Sequence, residues 1–291
     1  MKKNIWISES RNSREYSSRF LENLKITGNR CIGGNNYMMS VISENAAKGV
    51  SVPEAGQFYM FQLKNQIRIL RRPISIHNID YKTGKLEFLY RVSGKGTKEL
   101  SRLSTGDILN IQGPLGKGFD IPDNIKNIII AGGGIGLAPL KLLMLKILEN
   151  KEDIKITFIA GGRDKNILKL IERFELEYEN IETIICTDNG SIGEKSDIIG
   201  ILKRVIESNK NIDMIYSCAP HSALEIISRI ANENGIASQI SVEERMACGV
   251  GACVGCSIES NYGMKKVCCD GPVFYSSIFM ESVRDGSEIN V

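Results

Sequence analysis

Apolar and polar positions change rhythm once along this chain. Up to residue 123, apolar residues come in short runs, at 24–31, 37–43, 57–63, 74–79, 86–92 and 108–113. Turn signals separate them at Gly33-Gly34-Asn35, Lys64-Asn65, Lys82-Thr83-Gly84-Lys85 and Thr105-Gly106-Asp107. Short runs at hairpin-like intervals predict a small antiparallel β-barrel, with one short helix at 98–103. After Pro122-Asp123-Asn124, longer apolar runs at 125–131, 154–160, 183–187, 214–219 and 237–241 alternate with helical stretches at 137–149, 165–175, 198–207 and 222–234. Strands that are apolar throughout are buried on both faces, which predicts a parallel sheet covered by helices. Right-handed crossovers make that sheet doubly wound. The polar stretch 1–21, with Arg11, Arg14 and Arg19 among serines, reads as an N-terminal extension. It is either a short helix that packs on a partner or a frayed terminus. The expected division is 1–21 extension, 22–123 β-barrel, 124–241 α/β domain and 242–291 C-terminal module, a multidomain β plus α/β fold.

The C-terminal module carries the sharpest chemistry. Cys248, Cys253 and Cys256 stand in C-x4-C-x2-C order, and Cys268 follows twelve positions after Cys256. That order is the ligand pattern of a plant-type [2Fe-2S] cluster held by four thiolates. Gly249, Gly251 and Gly255 would let the loop reach positive φ and bring backbone N–H groups to the sulfurs. Structural zinc is the competing reading, but zinc ligands pair as two short knuckles, whereas here three crowd one loop. Cys268 is taken as the fourth ligand, with its neighbour Cys269 as the alternative.

Composition narrows the classes further. The 291 residues are 42% hydrophobic, enough for several packed cores. A net charge of +3 argues against nucleic-acid binding through a basic surface. No apolar run is long enough to span a membrane, and the first residues lack the apolar core of a signal peptide. Eight cysteines without a secretory signal disfavour a disulfide framework and fit a reducing cytoplasm. Cys31, Cys186 and Cys218 read as buried thiols without a role.

Two further regions offer ligand chemistry. In the barrel, Arg71-Arg72-Pro73-Ile74-Ser75-Ile76 sets a charged fork and a small hydroxyl on one strand. Leu89-Tyr90-Arg91 follows on another, and Gly94-Lys95-Gly96-Thr97 opens the short helix, where an anion is favoured. A third glycine turn is Gly113-Pro114-Leu115-Gly116. In the α/β domain, Gly132-Gly133-Gly134-Ile135-Gly136 lies at a strand-to-helix turn, where glycines admit a pyrophosphate close to the backbone. Gly162-Arg163-Asp164 could meet a ribose, with Arg163 favouring a 2′-phosphate and Asp164 free hydroxyls, so the choice between NAD and NADP stays open. His77 and His221 read as structural or solvated rather than catalytic.

This combination resembles the ferredoxin–NAD(P)+ reductase superfamily. The resemblance implies that Arg72, Pro73, Ile74, Ser75, Leu89, Tyr90, Arg91, Gly96 and Thr97 contact FAD, and that Gly132, Gly133, Gly134 and Gly136 lie at the nicotinamide nucleotide. Cys218-Ala219-Pro220 departs by one residue from that superfamily's C-G-P turn. With the cysteine string and Val267-Cys268-Cys269-Asp270-Gly271-Pro272, residues 22–275 look like the electron-transfer subunits of NAD-dependent class IB dihydroorotate dehydrogenases. That resemblance implies a partner subunit bearing FMN, a heterotetramer of two of each subunit, and electrons passing from dihydroorotate to NAD+ in pyrimidine biosynthesis. The alternative is a reductase of the same build serving a ferredoxin- or sulfide-linked partner. A non-enzymatic protein with structural zinc is the third reading.

Overall fold

The computed structural model describes residues 21–63, 70–151, 153–174 and 178–279. The expected N-terminal extension, apart from Leu21, the Lys64-Asn65 turn and the end of the 165–175 helix lie outside them. Two seven-stranded sheets carry the fold.

The first sheet is antiparallel, with order β4-β3-β7-β1-β2-β6-β5. Its strands are β1 (Leu21–Gly33), β2 (Asn36–Ile42), β3 (Phe58–Phe61), β4 (Arg72–Ser75), β5 (Asn78–Asp80), β6 (Lys85–Arg91) and β7 (Ile108–Leu115). β7 alternates buried and less buried positions along most of its length, as a strand with one face on a core must. The 13-residue β1 serves two partners, and its register shifts at Ile26/Gly28 and Cys31/Gly33 bend it between them. The stretch expected as one strand at 74–79 is broken. There Ile76 N–H donates to Gln57 O beside β3 and His77 N–H to Glu87 O on β6, so two residues bridge the open seam of the barrel.

The second sheet runs β11-β10-β9-β8-β12-β13-β16. Its members are β8 (Asn127–Gly133), β9 (Lys155–Gly162), β10 (Ile181–Thr187), β11 (Glu194–Lys195), β12 (Met214–Cys218), β13 (Ala237–Ser241) and β16 (Val273–Tyr275). All pair in parallel except β16, which joins β13 antiparallel at the edge. A short hairpin, β14 (Ser257–Ile258) and β15 (Lys265–Lys266), lies between β13 and β16 in sequence. Ile128, Ile129, Ile130 and Ala131 are all buried, which is the mark of a strand covered on both faces. The helix Ile198–Ser208 buries Ile198, Ile201, Leu202 and Ile206, a one-sided stripe at helical spacing.

Three helices differ from expectation. The 137–149 stretch is a 3-10 turn, Gly134–Leu137, followed by a helix at Leu140–Asn150. Pro139 separates them, because proline is tolerated at a helix start and not inside. The 165–175 stretch holds a 3-10 turn at Lys165–Ile167 and one helical turn at Leu168–Ile171. The short barrel helix sits three residues earlier than expected, at Lys95–Leu100.

Asp120, in the link after β7, ties that link to the second sheet. Its carbonyl accepts from Tyr216 Oη at 3.0 Å and Gln239 Nε2 at 2.8 Å, and its carboxylate from Tyr275 Oη at 2.6 Å. A second tie is His77, fully buried, whose Nδ1 lies 2.7 Å from Ala138 O. A carbonyl only accepts, so the ring carries its proton on Nδ1. Burial pushes the His77 pKa down to about 4, which keeps the imidazole neutral. Its role is structural.

Candidate functional site

The strand order of the second sheet reverses between β8 and β12, and ligands of doubly wound folds bind in the crevice outside such a reversal. Both loops at that crevice come from the expected motifs. Gly132 and Gly136 are demanded by packing: a Cβ on Gly132 would run into Leu137, and one on Gly136 into the Cys218 carbonyl. Gly133 is different, because its Cβ would make ordinary contacts with Ala219 and Pro220 at 3.5 Å. Gly134 has φ +56° and faces the Arg91 guanidinium. Asp164 caps the turn after β9 by accepting from Asn166 N–H at 2.8 Å, so part of its capacity is taken.

Beside the crevice a cavity of about 390 Å³ opens between the barrel and the α/β domain. Pro73, Ile74, Ser75, Leu89, Tyr90, Arg91 and Thr97 line it, drawn from β4, β6 and the short helix. Arg72 and Gly96 support its rim rather than its wall. A Cβ on Gly96 would collide with the Arg72 guanidinium, whose Nη1 donates to Leu70 O at 2.7 Å. Arg91 is aimed by Nε donating to Asn36 Oδ1 at 3.0 Å. Thr97 Oγ1 accepts the N–H groups of Ser93 and Gly94 at 3.0 and 3.2 Å, which fixes the turn and uses two of its donors. The Tyr90 ring stacks on Tyr37 with centroids 5.7 Å apart, and its hydroxyl donates to Asn29 Oδ1 at 3.0 Å.

The far wall of this cavity was not legible in the motifs. Ser241 at the end of β13, and Val242, Glu243, Glu244 and Met246 after it, close it together with Pro272. Burial raises the Glu243 carboxyl pKa, and the nearby charge of Arg91 opposes that rise. Glu243, Glu244 and Met246 lead directly into the cysteine loop and Pro272 ends the Val267–Pro272 string, but neither string says that these residues meet the cavity.

That loop folds back toward its own sulfurs. Cys248 Sγ accepts from Val250 N–H at 3.4 Å and Cys253 N–H at 3.5 Å. Cys268 Sγ accepts from Gly251 N–H at 3.1 Å, and Cys256 Sγ from Cys268 N–H at 3.5 Å. Burial alone would raise the Cys248 thiol, but backbone N–H groups of Cys253, Val250 and Ala252 outweigh it and bring the thiol down to about 6. Gly249 and Gly251 have positive φ as expected, whereas Gly255 does not; Val254, at φ +51°, takes that conformation instead. Among the described residues, no three His, Cys, Asp or Glu side chains converge on a point for one ion. A two-iron cluster does not ask for that, since its four thiolates divide between two irons. The four thiols are free, and three of them, Cys248, Cys256 and Cys268, accept backbone N–H groups, which fits such a group.

The loop also touches the cavity. Met246 lines it two residues before Cys248, and a Cβ on Gly249 would stand 2.8 Å from Met60 on β3. Met246, Met60, Phe58, Leu115, Cys256 and Cys268 share one apolar cluster.

Comparison with known proteins agrees with this layout. Residues 24–119 match the oxidoreductase FAD-binding domain, and residues 243–278 match the iron-sulfur cluster binding domain of dihydroorotate dehydrogenase B. The chain is 36% identical over 256 residues to the dihydroorotate dehydrogenase B (NAD(+)) electron transfer subunit of Caldanaerobacter subterraneus, covering 87% of this chain and 95% of that protein. The subunit of the same name from Desulforamulus reducens is 38% identical over 250 residues, covering 84% and 92%. The chain belongs to the family of dihydroorotate dehydrogenase B electron-transfer subunits. Among solved structures, the NADH-dependent reduced ferredoxin-NADP oxidoreductase matches with a TM-score of 0.77 and 25% identity over 88% of this chain and 89% of that one. A ferredoxin NADP+ reductase from Neisseria gonorrhoeae shares the fold, at a TM-score of 0.62 and 17% identity over 74% of this chain and 92% of that one.

Within this family layout, seven of the nine residues expected at FAD line the cavity, and Arg72 and Gly96 brace its edge. Gly132, Gly133, Gly134 and Gly136 gather at the crevice, two facing inward to the fold and two toward its mouth. Of the three thiols read as buried and idle, Cys186 and Cys218 are buried, and burial raises both thiol pKa values, Cys186 to about 11. Cys31 is a correction: it is exposed, because it lies near the end of long β1 where the register shifts.

Proposed function

We propose that this chain carries electrons from a dihydroorotate-oxidising partner subunit to NAD+, in the route to pyrimidines. Cys248, Cys253, Cys256 and Cys268 would hold the [2Fe-2S] cluster. Arg72, Pro73, Ile74, Ser75, Leu89, Tyr90, Arg91, Gly96 and Thr97 would hold FAD, and Gly132, Gly133, Gly134 and Gly136 the nicotinamide nucleotide. When bound, the cluster moves single electrons, the nicotinamide accepts a hydride, and the flavin exchanges with both. The protein's part is to order the three sites. Arg91, held by Asn36, offers a fixed positive charge beside the cavity, and the loop N–H groups offset negative charge on the sulfurs.

The observation that carries this reading is the shared wall. Met246, two residues before the cysteine loop, and Pro272, after Cys268, line one side of the flavin-sized cavity, and the nucleotide crevice opens on another. On its outer side the cysteine module exposes Val250, Val254, Tyr262 and Met264, side chains suited to an apolar docking face. The partner would bind there and carry FMN, with two copies of each subunit in the complex. Eight free cysteines support a reducing, cytoplasmic setting.

A second reading keeps the same sites but serves a ferredoxin-linked partner, and the likeness to the ferredoxin-NADP oxidoreductase favours it. The match of residues 243–278 to the dihydroorotate-specific module favours the first. Co-expression of this chain with a candidate dihydroorotate-oxidising subunit separates them. The joint complex should reduce NAD+ with dihydroorotate, and neither chain should do so alone. A complex loaded with FAD and cluster that leaves NAD+ untouched would sink the assignment.

A further inference from the structure

A fifth thiol stands at the cysteine loop. Cys269 Sγ lies 3.7 Å from Cys268 Sγ. Two thiolates on one tetrahedral metal, with metal–sulfur bonds of about 2.3 Å, are roughly 3.8 Å apart. Adjacent side chains on a helix do not ordinarily face one another, yet both sulfurs of the short helix Val267–Asp270 reach the same residue of the opposite loop. Gly251 N–H donates to Cys268 Sγ at 3.1 Å, and a Cβ on Gly251 would stand only 2.7 Å from Cys269 Sγ. Gly251 sits between Cys248 and Cys253, so both neighbouring thiols point at the ligand loop. Cys268 is buried and Cys269 half-buried, so Cys269 lies on the more open side of the pair.

We propose that Cys269 is a reserve ligand of the [2Fe-2S] cluster, able to take the coordination position of Cys268 on the same iron. The inference rests on the cluster assignment above. The exchange is redox-neutral. The iron–sulfur bond to Cys268 breaks and one to Cys269 forms, and the thiol proton of Cys269 passes to the released Cys268 thiolate. In a chain lacking the Cys268 thiol, that proton goes to solvent. Iron keeps its charge and its ligand count. The bare Gly251 lets the second sulfur lie against the loop, and any side chain there would push it out.

The test compares anaerobically purified wild type, Cys268→Ala, Cys269→Ala and the double variant by iron and sulfide content, FAD content and electron paramagnetic resonance of the dithionite-reduced protein. Alanine is used because a serine oxygen can itself bind iron. Cys268→Ala should retain iron and sulfide in the ratio of the wild type with shifted g-values, and the double variant should lose both while keeping FAD. A folded, FAD-bearing Cys268→Ala chain as empty as the double variant would overturn the proposal. Should Cys268→Ala fail to fold, the decision falls to Cys269→Ala, whose cluster should be lost to a chelator several-fold faster than wild type. An unchanged rate there overturns it too. A wild-type chain without iron and sulfide would instead remove the cluster assignment itself.

Discussion

The turn at 132–136 and the loop at 248–256 are both rich in glycine, and the structure uses the glycines for different ends. In the turn, Gly132 and Gly136 are small because the fold's own atoms press on them, Leu137 in one case and the Cys218 carbonyl in the other. In the loop, Gly249 and Gly251 take positive φ, and Gly251 turns its N–H to a cysteine sulfur. Gly132 lets the following turn pack back on its strand, and Gly136 lets the turn close on the loop after β12. The loop pair serves the site directly. A glycine motif therefore gains meaning only when the atom its Cβ would meet is known.

Substitutions can break that contrast, and the largest effect falls in the loop. Cys253→Ala should abolish or severely deplete the cluster, seen as lost iron and sulfide, while NADH oxidation with an artificial acceptor persists. Loss of that activity with FAD still bound would mean that the two sites are not separable as described. In the turn, Gly136→Ala should cost global stability on the order of 1–3 kcal/mol, since backbone must move to admit the methyl. Gly133→Ala, whose methyl meets only ordinary contacts at 3.5 Å, should stay within about 0.5 kcal/mol. Urea unfolding of the two variants measures the difference, and equal losses would erase the distinction between packing and mouth glycines.

The turn is also braced from behind by His77, and acid probes that brace. The unfolded histidine takes a proton near pH 6.5 and the buried one only near about 4, so the unfolded state binds more protons between those values. Stability should fall as pH drops from 6.5 toward 4, by about 3 kcal/mol at most, and level off below. His77→Gln should lose this component, so the gap between wild type and variant should narrow on acidification. A gap that does not change with pH would show that the ring is not held neutral.

Much of this was legible in the chain. Short apolar runs broken by turn signals pointed to the barrel, and largely apolar runs between helices to the parallel sheet covered on both faces. The four cysteines were legible because ligand spacing is local. What stayed hidden depends on distant segments meeting. Glu243, Glu244 and Met246 become a cavity wall only when the chain after β13 lies across β4 and β6. β16 was unreadable as a sheet edge because its three residues gain their meaning from pairing with β13. The positive φ of Val254 was missed because the sequence offered Gly255 beside it.

The central claim is that the cysteine loop and the flavin-sized cavity form one electron path within this chain. The most direct measurement is an anaerobic titration of the isolated, cofactor-loaded protein with NADH, followed by visible absorbance and low-temperature electron paramagnetic resonance. The account predicts that NADH alone bleaches the flavin and brings up the signal of a reduced [2Fe-2S] cluster, with no partner present. A flavin that NADH reduces beside a cluster that responds only to dithionite would contradict it.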